Sequence, residues 1–303
     1  MTDPHLSLSR HPHDRMGLRR NDEAWLQEAW ESPRSRVLVI AGTRVRPTGT
    51  GLEWLPAAEA PAGVRVLLGE RDGVTSWAVI VDADVAREEP RSWVPLRGLL
   101  PLLAGTDNDD APLVFHALGL AEWQWATRHC PRCGGPLRPR AAGHELICEQ
   151  CEKPQFPRSD PAVIMLVTAG DPGSRDERAL LGRNKAWPLG RFSTLAGFCE
   201  PGETLEDAVR REVAEETGVR VGEVSYYGNQ PWPLPASLML GFLGRATTDD
   251  IVLEDFDVED ARWFTRDQMR AEAESGELLL PGGVSISRSL IEHWYGEELP
   301  GAW

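Results

Sequence analysis

The sequence predicts an α/β protein in three parts: a small N-terminal α/β domain, a four-cysteine zinc ribbon, and a C-terminal domain whose mixed sheet carries helices on both faces. Three observations lead there. Apolar runs of strand length alternate with helical patterns along 303 residues that are 41% hydrophobic, enough for two medium domains or one large one. Two Cys-x-x-Cys pairs lie in the middle of the chain, at 130–133 and 148–151. A glycine turn then leads into a short acidic helix over 197–219, GFCEPGETLEDAVRREVAEETGV.

Residues 1–20 carry four Arg and three His without an apolar block, so a disordered tail is expected and a secretory signal is not. No run of about 18 apolar residues is present, which predicts no membrane span and a cytoplasmic chain. A net charge of -15 argues against non-specific nucleic-acid binding, because no general excess of Lys and Arg is available to displace counterions from phosphates.

The N-terminal domain is placed at 21–128. DEAWLQEAWE at 22–31 fits a helix, SRVLVIAG a strand from about Arg36 to Ile40, and VRVLLG and VTSWAVIVD a hairpin over 64–81. TDNDDAP at 106–112 is a polar break before a helical pattern that runs into the first cysteine pair. His5, His11, His13, His116 and His129 read as tail, core or surface residues.

The ribbon is placed at 129–155. Cys130 and Cys133 are separated by fourteen residues from Cys148 and Cys151, a spacing that lets four thiolates close around one Zn²⁺. Four sulfur ligands leave no position for water, so this zinc is expected to stabilise the fold and take no part in chemistry. Cys199 reads as a packing residue.

The C-terminal domain is placed at 156–303. PAVIMLVT from Pro161 and ALLGR at 179–183 read as adjacent strands, TLAGF leads to the acidic helix, and VGEVSYYG, SLMLGFLGRA and ARWF follow as strands. Ile286, Leu290 and Trp294 mark a closing helix. In the acidic segment Thr204, with Asp207 three residues on, has the pattern of an N-cap, and Gly218 sits where a left-handed residue ends a helix of about thirteen residues. Leu205, Val209 and Val213 form its apolar stripe, with Glu212, Glu215 and Glu216 beside it. Three partly desolvated carboxylates repel or protonate unless cations sit among them, and oxygen ligands of this kind suit Mg²⁺ or Mn²⁺.

Gly197, Glu203, Arg211-Glu212-Val213, Glu215-Glu216 and Gly218-Val219 resemble the Nudix hydrolase box at every defined position. The resemblance implies an α/β/α sandwich, divalent metal on Glu212, Glu215 and Glu216, a Glu203–Arg211 brace, and hydrolysis of a nucleoside diphosphate joined to another group. About ten residues beyond the box, NQPWPLPAS at 229–237 has three prolines in five positions, which stiffen the loop and present Gln230, Trp232 and Ser237. It is similar to the SQPWPFPxS signature of the NADH pyrophosphatase branch, with Asn229 for the first Ser and Leu234 for Phe.

That resemblance covers residues 129–295 and implies further roles. Phe156 and Phe198 fall where aromatic rings line the nucleotide pocket. Asp257 stands where a glutamate is usual near the metal, with Glu259 and Asp260 as competitors for that role, and Ser287 stands where Ala is frequent. The implied reaction is metal-dependent cleavage of NADH or NAD⁺ to AMP and nicotinamide mononucleotide, extending to removal of NAD caps from RNA, by a homodimer. A broader dinucleotide or ADP-sugar pyrophosphatase, or a zinc-ribbon nucleic-acid-binding regulator, are the alternatives.

Overall fold

A computed structural model describes residues 5, 8, 12–49, 51–105, 110–253 and 257–300. The chain forms two units, the first of Leu8–Ser159 with Trp232–Ala236, the second of Asp160–Pro231 and Ser237–Trp303 together with His5. The ribbon belongs to the same unit as the N-terminal domain, as does the Pro-Trp-Pro loop, and the C-terminal unit begins at residue 160. Part of the polar break, residues 106–109, lies outside the described residues.

The first unit runs α1 (Glu23–Glu31), β1 (Arg36–Ala41), β2 (Arg44–Val45), β3 (Trp54–Pro56), β4 (Val64–Arg71), β5 (Val74–Val81), α2 (Asp84–Glu88), β6 (Val94–Pro95), α3 (Leu96–Gly105) and α4 (Ala111–Ala126). Its sheet has the order β4-β5-β1-β2-β6, with β3 also on β1. β1 lies parallel to β5 from Arg36↔Ser76 to Ala41↔Val81, and Val37, Leu38 and Ile40 are fully buried, as a strand covered on both faces requires. The side chain of Asp22 caps α1 by accepting from the Trp25 N–H, and Leu26, Ala29 and Trp30 pack on Val37, Leu67, Trp77 and Val79.

Of the expected disordered tail, residues 1–4, 6, 7 and 9–11, with His11 among them, lie outside the described residues. Residues 12–20 are ordered because Asp14 exchanges two backbone hydrogen bonds with Glu70, at 2.8 and 3.0 Å, next to a short turn at Gly17–Arg19. This close approach needs a glycine at 69: with φ at +135°, a Cβ there would stand 2.0 Å from the Asp14 carbonyl oxygen. His13 and His5 are both buried, the latter bonded through its ring to Ser289 Oγ at 2.8 Å.

The ribbon contributes β7 (Leu137–Arg140), β8 (Glu145–Cys148) and β9 (Pro154–Gln155), an antiparallel three-stranded sheet. Its β7–β8 turn is pinned to β4: the Leu67 N–H donates to the Ala142 carbonyl at 3.1 Å, and the His144 ring bonds the Leu67 carbonyl at 2.7 Å.

The second unit runs β10 (Asp160–Ala169), β11 (Arg178–Asn184), β12 (Leu195–Phe198), α5 (Leu205–Thr217), β13 (Val221–Trp232), β14 (Ser237–Ala246), β15 (Val258–Thr265), α6 (Arg266–Ser275) and α7 (Ile286–Tyr295). The sheet order is β13-β14-β10-β11-β15, and it is mixed, β14 lying parallel to β10 and β11 antiparallel to it. β10 explains the layering, since successive side chains point to opposite faces. Val163, Met165 and Val167 pack with Val209 and Val213 of α5, while Ile164 and Leu166 pack with Ile286, Leu290 and Ile291 of α7. The α/β/α layering expected from the alternation is therefore present.

Candidate active site and metal centre

The acidic helix is built as its sequence dictates. Thr204 Oγ1 accepts from the Asp207 N–H at 3.2 Å, Gly218 ends the helix with φ at +72°, and Val209 and Val213 are fully buried. β12 delivers the preceding turn, with Gly197 registered opposite Val163 on β10. A Cβ at 197 would lie 1.8 Å from the carboxyl carbon of Glu212, so a larger residue there would displace that carboxylate. The half-buried Glu212 carboxylate thus lies against bare backbone.

Arg211 organises the cluster. Its Nε and Nη2 donate to the two oxygens of Glu203 at 2.8 and 2.9 Å, and its Nη1 donates to Glu212 at 2.9 Å and Glu215 at 3.0 Å. Nη2 also donates to the Phe198 carbonyl at 2.9 Å, which ties the loop to the helix. The fork geometry suits Arg and not Lys. Arg211 hydrogen bonds, joined by the Glu200 N–H, hold the Glu203 carboxyl down at about 2, while Arg211 itself is pushed above its usual range, first by Glu203. Burial pushes Glu212 up, against the pull of Arg211. The cation expected among these carboxylates thus includes a side chain of the protein itself, bridging Glu212 and Glu215. Glu215 is exposed and Glu216 half-buried, and carboxylate oxygens are the ligand type that a hard divalent ion takes.

The four cysteines behave differently. Their sulfurs all lie within 4.8 Å of one another, and this is the one group of three or more potential ligand side chains so gathered among the described residues. Cys130 and Cys151 are 3.7 Å apart and Cys133 and Cys148 3.5 Å. Sulfurs on a tetrahedral zinc with bonds of about 2.3 Å stand about 3.8 Å apart, so the set fits zinc. The N–H groups of Gln150 and Cys151 point at Cys148 Sγ at 3.4 Å, and the Cys151 N–H is the main cause bringing that thiol down to about 7.

The remaining candidates divide. Phe156 and Phe198 are exposed, at 63% and 58%. Trp232 and Ser237 are half-buried. Gln230 does not present its amide to solvent: it is 1% exposed, donates to the Val284 carbonyl at 2.6 Å and accepts from the Ile286 N–H at 3.0 Å, so it braces the start of α7. Ser287 is likewise 1% exposed, its hydroxyl oxygen bonded to Ser193 Oγ, Thr194 Oγ1 and the Thr194 N–H. Both were expected at the substrate, and both are spent on internal bonds. Asp257 is exposed and lies 3.9 Å from Lys185 Nζ, Glu259 is exposed and pairs with Arg183 at 2.8 Å, and Asp260 is half-buried. The next residue, Val258, packs in the same cluster as Val209 and Val213. Lys185 had no signal in the sequence, being one cation in an irregular stretch.

The NUDIX domain family matches residues 158–280 and the NADH pyrophosphatase zinc ribbon domain residues 126–156. NAD-capped RNA hydrolase NudC of Mycobacterium bovis (strain BCG / Pasteur 1173P2) is 37% identical over 310 residues, 95% of this chain and 94% of that protein. The chain therefore belongs to the Nudix hydrolase family, in the branch that carries the NADH pyrophosphatase zinc ribbon. NAD-capped RNA hydrolase NUDT12 of Homo sapiens is 38% identical over 240 residues, 74% of this chain and 51% of that protein. The chain spans about half the length of such mammalian relatives. No helix among the described residues is long and apolar enough to cross a membrane.

Proposed function

We propose that the chain hydrolyses the diphosphate of NADH or NAD⁺ to AMP and nicotinamide mononucleotide, and removes NAD caps from RNA by the same cut. The observation that carries this is the Arg211-centred cluster of Glu203, Glu212 and Glu215 seated against Gly197, with the exposed ring of Phe198 beside it. A ligand sensor has no physical need for such a construction, which counts against the regulator reading. The name of the bacterial relative, matched over 94% of its length, supports the choice of NAD-bearing substrates.

In this reading Glu212, Glu215 and Glu216 hold Mg²⁺ or Mn²⁺, which supplies charge neutralisation at the diphosphate. Arg211 and Glu203 keep the carboxylates oriented, and the burial of Glu212 limits competing water. Water attacks phosphorus, its proton passes to a carboxylate of the cluster or to Asp257, and the bridging oxygen leaves with the other phosphate. Phe198 supplies a face for the base or nicotinamide ring. The chain acts in the cytoplasm as a homodimer.

One purified sample tested on NADH, NAD⁺, ADP-ribose and NAD-capped RNA decides among the readings. The expected outcome is a higher kcat/KM for the NAD-bearing substrates than for ADP-ribose. Equal values on all four would favour a broad dinucleotide pyrophosphatase.

A further inference from the structure

A second site lies within the N-terminal unit, where α1 and β4 meet the ribbon. A cavity of about 440 Å³ opens there, the volume of a small-molecule pocket. Leu26, Trp30 and Trp77 form its apolar wall and Arg65, Arg138 and Arg140 its charged one. The basic residues stand out in a chain of net charge -15: between residues 128 and 140 there are four arginines and no acid.

Two of these arginines are not used up by neighbours. Arg140 pairs with Glu145 at 2.5 Å, but among the described residues no carboxylate pairs with Arg65 or Arg138. Instead the guanidinium carbon of Arg65 lies 4.0 Å over the ring of Trp30, which in turn meets Trp77 edge-on at 5.4 Å. A guanidinium backed by an indole keeps one planar face outward and its N–H edge free. The ribbon side is equally fixed. Ala141 and Ala142 hold φ of +51° and +49°, a conformation L-residues adopt at a cost, and the turn they form is tied to β4 through Leu67 and to Gln124 through the Gly143 carbonyl at 2.7 Å. Arg138 is thereby carried to the same cavity as Arg65.

We propose that this pocket binds a nucleotide, its base stacked on the Arg65 guanidinium and its phosphate held by Arg138. An aromatic ring alone leaves the arginines unsatisfied, and a bare phosphate leaves the Arg65 face and the tryptophan wall without a partner. A phosphate ester carrying a flat base uses both. Glu23 and Gln27 on α1 line the same pocket and offer an acceptor and an amide to sugar hydroxyls or base edges. Two sources share this chemistry, a free mononucleotide and one nucleotide unit of a single-stranded RNA. The inference does not depend on the reaction proposed above, and neither arginine belongs to the catalytic cluster.

The test is equilibrium dialysis of the full chain against AMP and against 5′-phosphorylated tetra-adenylate, for wild type and the double variant Arg65→Gln, Arg138→Gln. AMP also enters the active site, so sites are counted. The wild type is expected to bind one more AMP per chain than the double variant, with NADH turnover, zinc content and melting temperature the same in both. Arg65→Lys, which keeps charge but not the planar face, is expected to weaken that extra site roughly tenfold. Tenfold tighter binding of tetra-adenylate than AMP at the extra site assigns it to RNA, and equal binding to a free nucleotide. Equal stoichiometry and affinity in wild type and double variant overturn the proposal. So does inorganic phosphate competing at the extra site as well as AMP does, because the base then contributes nothing.

Discussion

The ribbon and the acidic helix each carry side chains that can ligate a metal, and the two sets are held in opposite ways. In the ribbon four sulfurs are drawn within 4.8 Å of one another, with backbone N–H groups behind them. On α5 the carboxylates are held by Arg211, which bonds Glu203, Glu212 and Glu215 at once, and Glu215 remains exposed. A closed set of soft ligands excludes water and stabilises a fold. An open set of hard ligands, propped by a resident cation, leaves room for substrate oxygen and a water.

The largest effect is expected on the open site. Glu216→Gln removes a charge at nearly constant volume, so the fold survives while NADH turnover falls by on the order of a hundredfold or more. Near-normal turnover in Mg²⁺ or Mn²⁺ would remove Glu216 from the metal set. Gly197→Ala comes next. Its Cβ cannot coexist with the Glu212 carboxyl carbon 1.8 Å away, so the carboxylate must move and kcat should drop by roughly tenfold or more. An unchanged kcat in this variant would show that the position of Glu212 is not critical.

The closed site should answer in stability and not in chemistry. Cys130→Ser is expected to lower zinc content and melting temperature together while leaving the turnover of still-folded molecules close to wild type. Zinc-free wild-type protein, purified without chelators, would break the comparison on this side.

The smallest effect concerns the ribbon's anchorage. His144, bonded to the Leu67 carbonyl, and its neighbour His116 are held below their usual value by burial, at about 4 and about 2. Their rings stand 5.2 Å apart, and His13, also at about 4 because of burial, bonds His116 at 3.3 Å. The unfolded chain therefore binds protons below pH of about 6.5 that the folded one refuses. Stability is full above that pH and declines as pH falls toward about 4. Melting curves at successive pH values should show this decline, and His116→Gln should flatten it. A melting temperature that rises on acidification would contradict the burial account.

Much of this was legible in the sequence because it depends on local pattern. The apolar run of β10, the Thr204 and Gly218 caps and the two cysteine pairs depend on residues close along the chain, and the structure places each as the pattern predicts. What escaped involves pairing over distance. Nothing near Gln230 shows that its amide will meet Val284 and Ile286, more than fifty residues on, and a glutamine in a stiff loop reads naturally as a ligand group. The order of residues 12–20 has no local signal because it comes from Glu70 and Gly69. The short strands β2 and β6 have two residues each, below the length at which alternation is visible. The ribbon's attachment to the N-terminal domain runs through hydrogen bonds from Leu67 to Ala142, His144 to Leu67 and Gln124 to Gly143, pairings that no local pattern announces.

The contrast between the closed and the open site is tested most directly by dialysing the protein into metal-free buffer and following NADH hydrolysis and zinc content in the same samples. The account predicts that hydrolysis falls to background, returns on adding Mg²⁺ or Mn²⁺, and leaves one zinc per chain throughout. Hydrolysis that persists without added cation, or that rises and falls with the zinc content, would contradict it.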